Sequence, residues 1–126
     1  MITAKSILLV GLGGGVGSIL RYLTSVVVAK YFYSLFPLST FAANFVGCLV
    51  IGLLIGLFDK FQLVDTNLRL LLITGFCGGY TTFSAFAAEN LTFFQSGNYA
   101  TAILYILLSI ILGISAVWLG IKLFQC

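Results

Sequence analysis

Charged residues divide this chain of 126 residues into four long apolar stretches. Arg21 is the one charged residue within residues 6–29, and none occurs within residues 31–58, 70–88 or 90–121. An α-helix needs roughly 20 apolar residues to cross the hydrocarbon core of a bilayer. The pattern therefore predicts an all-α integral membrane protein with four spanning helices, over residues 6–30, 38–58, 68–95 and 98–123.

The segments between the predicted helices are short. Pro37 precedes the second helix, at a position where a proline is tolerated. Residues 61–67 form a short loop before the third helix, and residues 95–98 form a turn before the fourth. We therefore expect a single four-span membrane domain over residues 1–126.

The composition excludes several classes of protein. The chain is 61% hydrophobic and 7% charged, whereas about a quarter of the residues in soluble domains are charged. Its six Lys and Arg residues are scattered, so they form no basic patch for a nucleic acid. The chain has no histidine and one acid inside a predicted span, so general acid–base catalysis has few groups and we expect no enzyme.

The distribution of cations favours one orientation in the bilayer. With four spans, Lys5, Lys60, Arg69 and Lys122 lie on one side of the membrane, and Lys30 lies on the other. Because cytoplasmic loops carry the excess of Lys and Arg, this ratio of four to one favours both termini inside the cell.

The third predicted helix contains an unusual cluster of small residues. Gly75, Gly78 and Gly79 are followed by Thr81 and Thr82 near the middle of the span. Each glycine costs roughly 1 kcal/mol in a helix interior, so the cluster predicts a helix broken in mid-membrane. Backbone carbonyls exposed by a break must be satisfied, and binding a cation is one way to do so. Tight helix packing at small residues is the alternative.

Aromatic and hydroxyl side chains follow this cluster. Phe83 and Phe86 are three residues apart and share a helix face. Their rings are either core or lipid-facing filler, or they line a pore in which the positive ring edges hold an anion. Ser84 would add a hydroxyl donor. On the fourth helix, Tyr105 and Ser109 are four residues apart and can present two hydroxyls on one face.

Three further polar residues lie within the spans. Arg21 is near the far end of the first helix, where it either snorkels to the headgroups or faces an aqueous vestibule and attracts an anion. Asn44 needs a partner in lipid, either as a structural hydrogen bond or as a pore-lining donor. Glu89 is expected to be paired, protonated or beside water, and the sequence does not indicate its partner.

Pairs of glycines four residues apart occur on three of the predicted helices. This spacing lets helices approach closely, either within one subunit or across a homodimer interface, and we favour both together. These pairs include Gly13/Gly17, Gly52/Gly56 and Gly75/Gly79.

Over about residues 8–122 the chain resembles the Fluc-type fluoride channels, a family of bacterial fluoride exporters. The Gly-Gly-x-Thr-Thr-Phe-Ser-x-Phe core of the third helix is the most specific motif. The segments that match in order and spacing are residues 17–22, 40–47, 74–89 and 97–102.

The resemblance implies a dual-topology, antiparallel dimer in which fluoride leaves the cytoplasm passively through two pores between the subunits. It implies a bacterial plasma membrane location, which is the inner membrane in a Gram-negative cell. It also implies a structural sodium ion at the dimer centre, not transported, that is held by the carbonyls of Gly78 and Thr81. By residue match the fluoride pathway contains Arg21, Asn44, Phe83, Phe86, Tyr105 and Ser109.

Two features depart from the family pattern. Ala85 stands where many members carry Thr or Ser, and Gly113 stands where some carry a second serine on the fourth helix. The pathway therefore has fewer hydroxyls than in those members. The cation bias also fits poorly with a homodimer that needs both orientations, so an oppositely oriented paralogous subunit is an alternative partner. We favour the homodimer.

A proton-coupled small multidrug exporter is the alternative function. Such exporters are also four-span antiparallel dimers, but they use a membrane-embedded acid, usually in the first helix. Here the first helix contains Arg21 and no acid, so Glu89 is the one candidate.

Overall fold

Four long helices form the chain in the computed structural model, which describes residues 1–125. All four are apolar and long enough to cross a membrane, over Ala4–Tyr31, Leu38–Lys60, Thr66–Gln95 and Tyr99–Gln125. Each bound lies within two residues of the prediction. No strand occurs among residues 1–125, so the predicted all-α, four-span fold is confirmed. The predicted domain extends to Cys126, which lies outside the described residues.

The third span consists of several segments. Helix α1 is Ala4–Tyr31 and α2 is Leu38–Lys60. The third span then contains α3 (Thr66–Arg69), a π-helical segment (Leu70–Cys77), α4 (Gly78–Tyr80) and α5 (Phe83–Gln95), and it is followed by α6 (Tyr99–Gln125). A π-helical turn is rare and often occurs at a functional site.

Local side-chain and backbone features define the ends of the helices. Thr3 and Ser6 form a reciprocal capping box at the start of α1, where each hydroxyl accepts the backbone N–H of the other residue, at 3.1 and 3.0 Å. Asp65 caps α3 by accepting the Asn67 amide at 2.8 Å. Gly97, with φ of +81°, turns the chain between α5 and α6.

Glycines allow the helices to contact each other through their backbones. A Cβ added at Gly13 would lie 2.9 Å from the Phe76 amide nitrogen, and one at Gly79 would lie 2.9 Å from the Cα of Gly14. On the other side of the fold, a Cβ at Gly52 would lie 2.9 Å from the carbonyl carbon of Val117 in α6. The predicted packing role within one subunit is therefore confirmed at these positions, whereas the dimer role stays a prediction.

Two consecutive residues between α4 and α5 have extended backbones. Thr81 has φ −86° and ψ 157°, and Thr82 has φ −147° and ψ 115°, conformations that suit β-branched residues. The departure from helical geometry thus lies at the two threonines, while Gly78 and Gly79 remain in a helix. The depth of these residues in a bilayer stays a prediction.

Candidate functional site

A cavity of about 470 Å³ lies between α2, the third span and α6. Most of the cavity wall is apolar, and Ile51, Ile73 and Ile110 are among its lining residues. Six of the residues predicted for ion binding line it: Asn44, Gly78, Thr81, Phe83, Phe86 and Ser109. The structure thus brings these six together from three regions of the chain, and their roles toward ions stay predictions.

Asn44 holds the extended backbone of Thr82 at two points. Its Nδ2 donates to the Thr82 carbonyl at 3.1 Å, and its Oδ1 accepts the Thr82 amide at 2.7 Å. Of the two alternatives for Asn44, the structural hydrogen bond is therefore present. An asparagine amide carries two N–H donors, so one donor remains for the cavity that Asn44 lines.

The carbonyls of Gly78 and Thr81 have both lost their usual helical partners. In a continuous helix the Thr82 amide would donate to Gly78, but here it donates to Asn44. The Ala85 amide would donate to Thr81, but here it donates to Oγ1 of Thr82 at 3.2 Å. Two carbonyl oxygens beside the cavity are thus without the amides that would otherwise satisfy them.

The two phenylalanines have different surroundings. The Phe86 ring meets Tyr105 edge to face, with ring centroids 5.0 Å apart and an interplanar angle of 69°. Phe83 lies 5.8 Å from Phe86, between ring centroids, and is 78% exposed. Ser84 is also exposed, and its hydroxyl lies 3.2 Å from that of Thr82.

Tyr105 and Ser109 differ in their hydrogen bonds, and their roles in a fluoride pathway stay predictions. Tyr105 is fully buried away from the cavity wall, and its hydroxyl donates to Oε1 of Glu89 at 3.3 Å. Thr40 donates to the other carboxylate oxygen of Glu89 at 3.1 Å. The Ser109 hydroxyl is buried and has no hydrogen-bond partner among residues 1–125. Ser109 lines the cavity, and its buried hydroxyl keeps an unused donor among the described residues.

Arg21 lines a second cavity, of about 220 Å³. Its Nε donates to the carbonyl of Gly79 at 3.1 Å, at the carboxyl end of a helical segment, where a cation is favourable. Arg21 is thus directed toward the protein, and it also faces a cavity with polar walls that include Ser39 and Thr40. The vestibule role of Arg21 stays a prediction.

Thr82 is a site residue that the sequence reasoning missed. It lines both cavities, so it lies between the one that contains Arg21 and the one that contains Phe83 and Phe86. The signal for it was its place directly after Thr81 in the small-residue cluster. Thr40, the partner of Glu89, was also missed, because 49 residues separate the two.

Comparison with known proteins supplies a family match and named relatives. The profile of the family described as "CrcB-like protein, Camphor Resistance (CrcB)" matches residues 8–121. A protein of Azobacteroides pseudotrichonymphae, named "Fluoride-specific ion channel FluC", is 51% identical over 92% of this chain and 93% of its own length. Proteins of the same name from Flavobacterium psychrophilum and Methylobacillus flagellatus are 51% and 45% identical, over 93% of this chain in both cases and 94% and 92% of their own lengths.

Proposed function

This chain belongs to the CrcB-like family, and from that membership we propose that it is a fluoride-selective, passive ion channel that exports fluoride across a bacterial plasma membrane. Relatives that carry the channel name match more than nine-tenths of the chain. A proton-coupled multidrug exporter is not favoured by these relatives. The protein is a multi-pass membrane channel and not an enzyme.

The cavity that gathers Asn44, Phe83, Phe86 and Ser109 is the observation that carries this proposal. Fluoride is small and strongly hydrated, so a pathway must replace its water with hydrogen-bond donors and positive ring edges. The second N–H of Asn44 and the Ser109 hydroxyl, which has no partner among residues 1–125, are the donors that we propose, because both residues line the cavity. The two phenylalanine rings lie beside them. A narrow path with these few donors would reject the larger chloride ion.

Fluoride would enter this cavity from the one that contains Arg21. The guanidinium attracts anions to the vestibule, and the Thr82 side chain lies at the boundary between the two cavities. Transport is passive. Hydrogen fluoride enters a cell as the neutral acid and ionises inside, after which the negative-inside potential drives the trapped anion outward.

A structural sodium ion at the carbonyls of Gly78 and Thr81 is part of the proposal. Both oxygens fit such a role, because the amides that would satisfy them donate to Asn44 and Thr82 instead. Unpaired backbone carbonyls are the ligands that discontinuous membrane helices offer to sodium. When bound, the ion would supply a fixed positive charge beside the anion pathway.

The assembly that we propose is an antiparallel homodimer. Phe83 supports a second subunit, because its ring lines the cavity and yet is 78% exposed in the single chain. The cation bias leaves an oppositely oriented paralogue as the other candidate. To separate the homodimer from the paralogue, a cysteine is introduced at Val64, in the loop between α2 and α3. This cysteine is then labelled from each side of the membrane. Equal labelling supports the homodimer, and one-sided labelling supports the paralogue.

Efflux from proteoliposomes tests the function. Purified protein is reconstituted into liposomes, and an ionophore is added to dissipate the membrane potential. Ion-selective electrodes then follow the external concentrations of fluoride and chloride. We expect rapid loss of fluoride without loss of chloride. Folded protein that releases no fluoride, alone or with a paralogous subunit, would overturn the proposal. A proton-coupled drug transport assay on the same vesicles would then test the exporter.

A further inference from the structure

The hydrogen bonds around the two extended threonines redirect the amides that a continuous helix would direct to the Gly78 and Thr81 carbonyls. The Cys77 carbonyl accepts both the amide and the hydroxyl of Thr81, at 3.0 and 2.8 Å. The Gly79 carbonyl accepts Nε of Arg21, and the Thr82 carbonyl accepts Nδ2 of Asn44, both at 3.1 Å. In the sequence, Gly78 lies between Cys77 and Gly79, and Thr81 directly precedes Thr82. Their usual amides are bonded elsewhere.

We infer that Asn44 and Thr82 are positioning residues for the cation site. Each side chain accepts a backbone amide that would otherwise donate to one of the two carbonyls of that site. Asn44 holds the Thr82 amide away from Gly78, and the Thr82 hydroxyl holds the Ala85 amide away from Thr81. Neither side chain needs to touch the ion. This inference rests on the sodium site of the proposed function and assigns the side chains that create it.

The geometry around Thr82 explains why both residues are needed. Asn44 satisfies the amide and the carbonyl of Thr82 together, as a neighbouring β-strand would, which stabilises the extended backbone. The hydroxyl of Thr82 then caps the first turn of α5. Without the cap, the Ala85 amide is free to donate to Thr81. Without Asn44, the Thr82 amide is free to donate to Gly78 and to extend α4.

Sodium-dependent thermal stability tests the inference without measuring flux. The purified protein is equilibrated in N-methyl-D-glucamine chloride and then titrated with sodium chloride, with potassium chloride as the ionic-strength control. The readout is the sodium concentration that gives half of the increase in melting temperature. Thr82→Val keeps the β-branched shape and removes the hydroxyl, and Thr82→Ser restores it. Thr92→Val is the matched control, because the Thr92 hydroxyl donates to a carbonyl of its own helix, that of Ala88.

We expect Thr82→Val to raise this sodium concentration by about tenfold or more, while Thr82→Ser and Thr92→Val keep the wild-type value. Asn44→Ala should behave like Thr82→Val, and if it does not fold, Thr82→Val decides alone. A cap with a purely structural role would lower the melting temperature equally at every sodium concentration, and this result would overturn the inference. A wild-type protein that does not respond to sodium would instead overturn the sodium site itself, and with it the inference.

Discussion

The hydroxyl of Tyr105 donates a hydrogen bond of 3.3 Å to Oε1 of Glu89, although Tyr105 is completely buried. Thr40 holds the second oxygen of the same carboxyl group. Glu89 is therefore paired through both oxygens, which is one of the states expected for an acid within a span. The bond between Tyr105 and Glu89 connects α6 to α5, next to the Phe86 ring that packs edge to face on Tyr105.

Removing the Tyr105 hydroxyl should destabilise the protein. Tyr105→Phe keeps the ring contacts but leaves one oxygen of Glu89 without its donor, so we expect a loss of about 1–3 kcal/mol in the free energy of unfolding. Denaturation in detergent micelles measures the loss. Tyr99→Phe is the control, since Tyr99 is exposed on the same helix and its change should stay within about 0.5 kcal/mol. Equal stabilities of the two variants would contradict the role of the hydroxyl.

Much of the fold could be predicted from the sequence because a bilayer restricts the solutions. Within lipid the backbone groups of a spanning segment must be satisfied internally, so an uncharged apolar stretch such as residues 38–58 favours a helix. The residue at which the third span leaves helical geometry was harder to predict. The cluster from Gly75 to Thr82 predicted a break without assigning it to one residue, and Gly79 in that cluster remains helical and closely contacts Gly14. Thr82 leaves the helix because Asn44 binds its backbone.

The members of the site were more predictable than their hydrogen bonds. Asn44 was marked as an amide in a membrane span, whereas Phe86 and Ser109 were assigned to the pathway through the family resemblance. The partner of Glu89 could not be found this way, because Thr40 is 49 residues distant and comes from another helix. Spacing also suggested that Tyr105 and Ser109 share a face. In the structure Tyr105 is bonded to Glu89, whereas the Ser109 hydroxyl has no partner among residues 1–125, because packing decides which hydroxyl meets a partner.

Replacing either phenylalanine of the cavity should reduce fluoride transport. Phe83→Ile and Phe86→Ile keep an apolar side chain but remove the ring edge that would face the anion. We expect each to lower fluoride efflux by about tenfold or more, which corresponds to ~1.4 kcal/mol in the barrier. Size-exclusion chromatography should still show an assembled dimer. Phe94→Ile, outside the cavity, should transport normally, and normal flux in both cavity variants would exclude a role for the rings.

The side chain of Thr81 should matter less than its carbonyl. Its hydroxyl already donates to the Cys77 carbonyl at 2.8 Å, so Thr81→Val loses a hydrogen bond worth about 1 kcal/mol. Thr81→Ser loses a methyl group and keeps the bond, at a cost of about 0.8 kcal/mol. We expect both variants to retain fluoride flux and sodium-dependent stability. A severe loss of sodium response in Thr81→Val alone would identify the hydroxyl itself as a cation ligand.

The free energy of unfolding should be far more sensitive to substitution at Gly17 than at Gly15. Both glycines lie on α1, but the backbone of the third span is in close contact at Gly17. A Cβ at Gly17 would press on the carbonyl of Phe76 and lie 2.8 Å from the Tyr80 amide nitrogen, whereas a Cβ at Gly15 has open space. Gly17→Ala should therefore cost about 1–3 kcal/mol through overpacking. Gly15→Ala should be neutral, or stabilising by up to ~1 kcal/mol, since alanine favours helices. Denaturation of both variants in detergent checks the difference. A larger loss for Gly15→Ala would mean that this face of α1 contacts a partner subunit more tightly than Gly17 contacts Phe76.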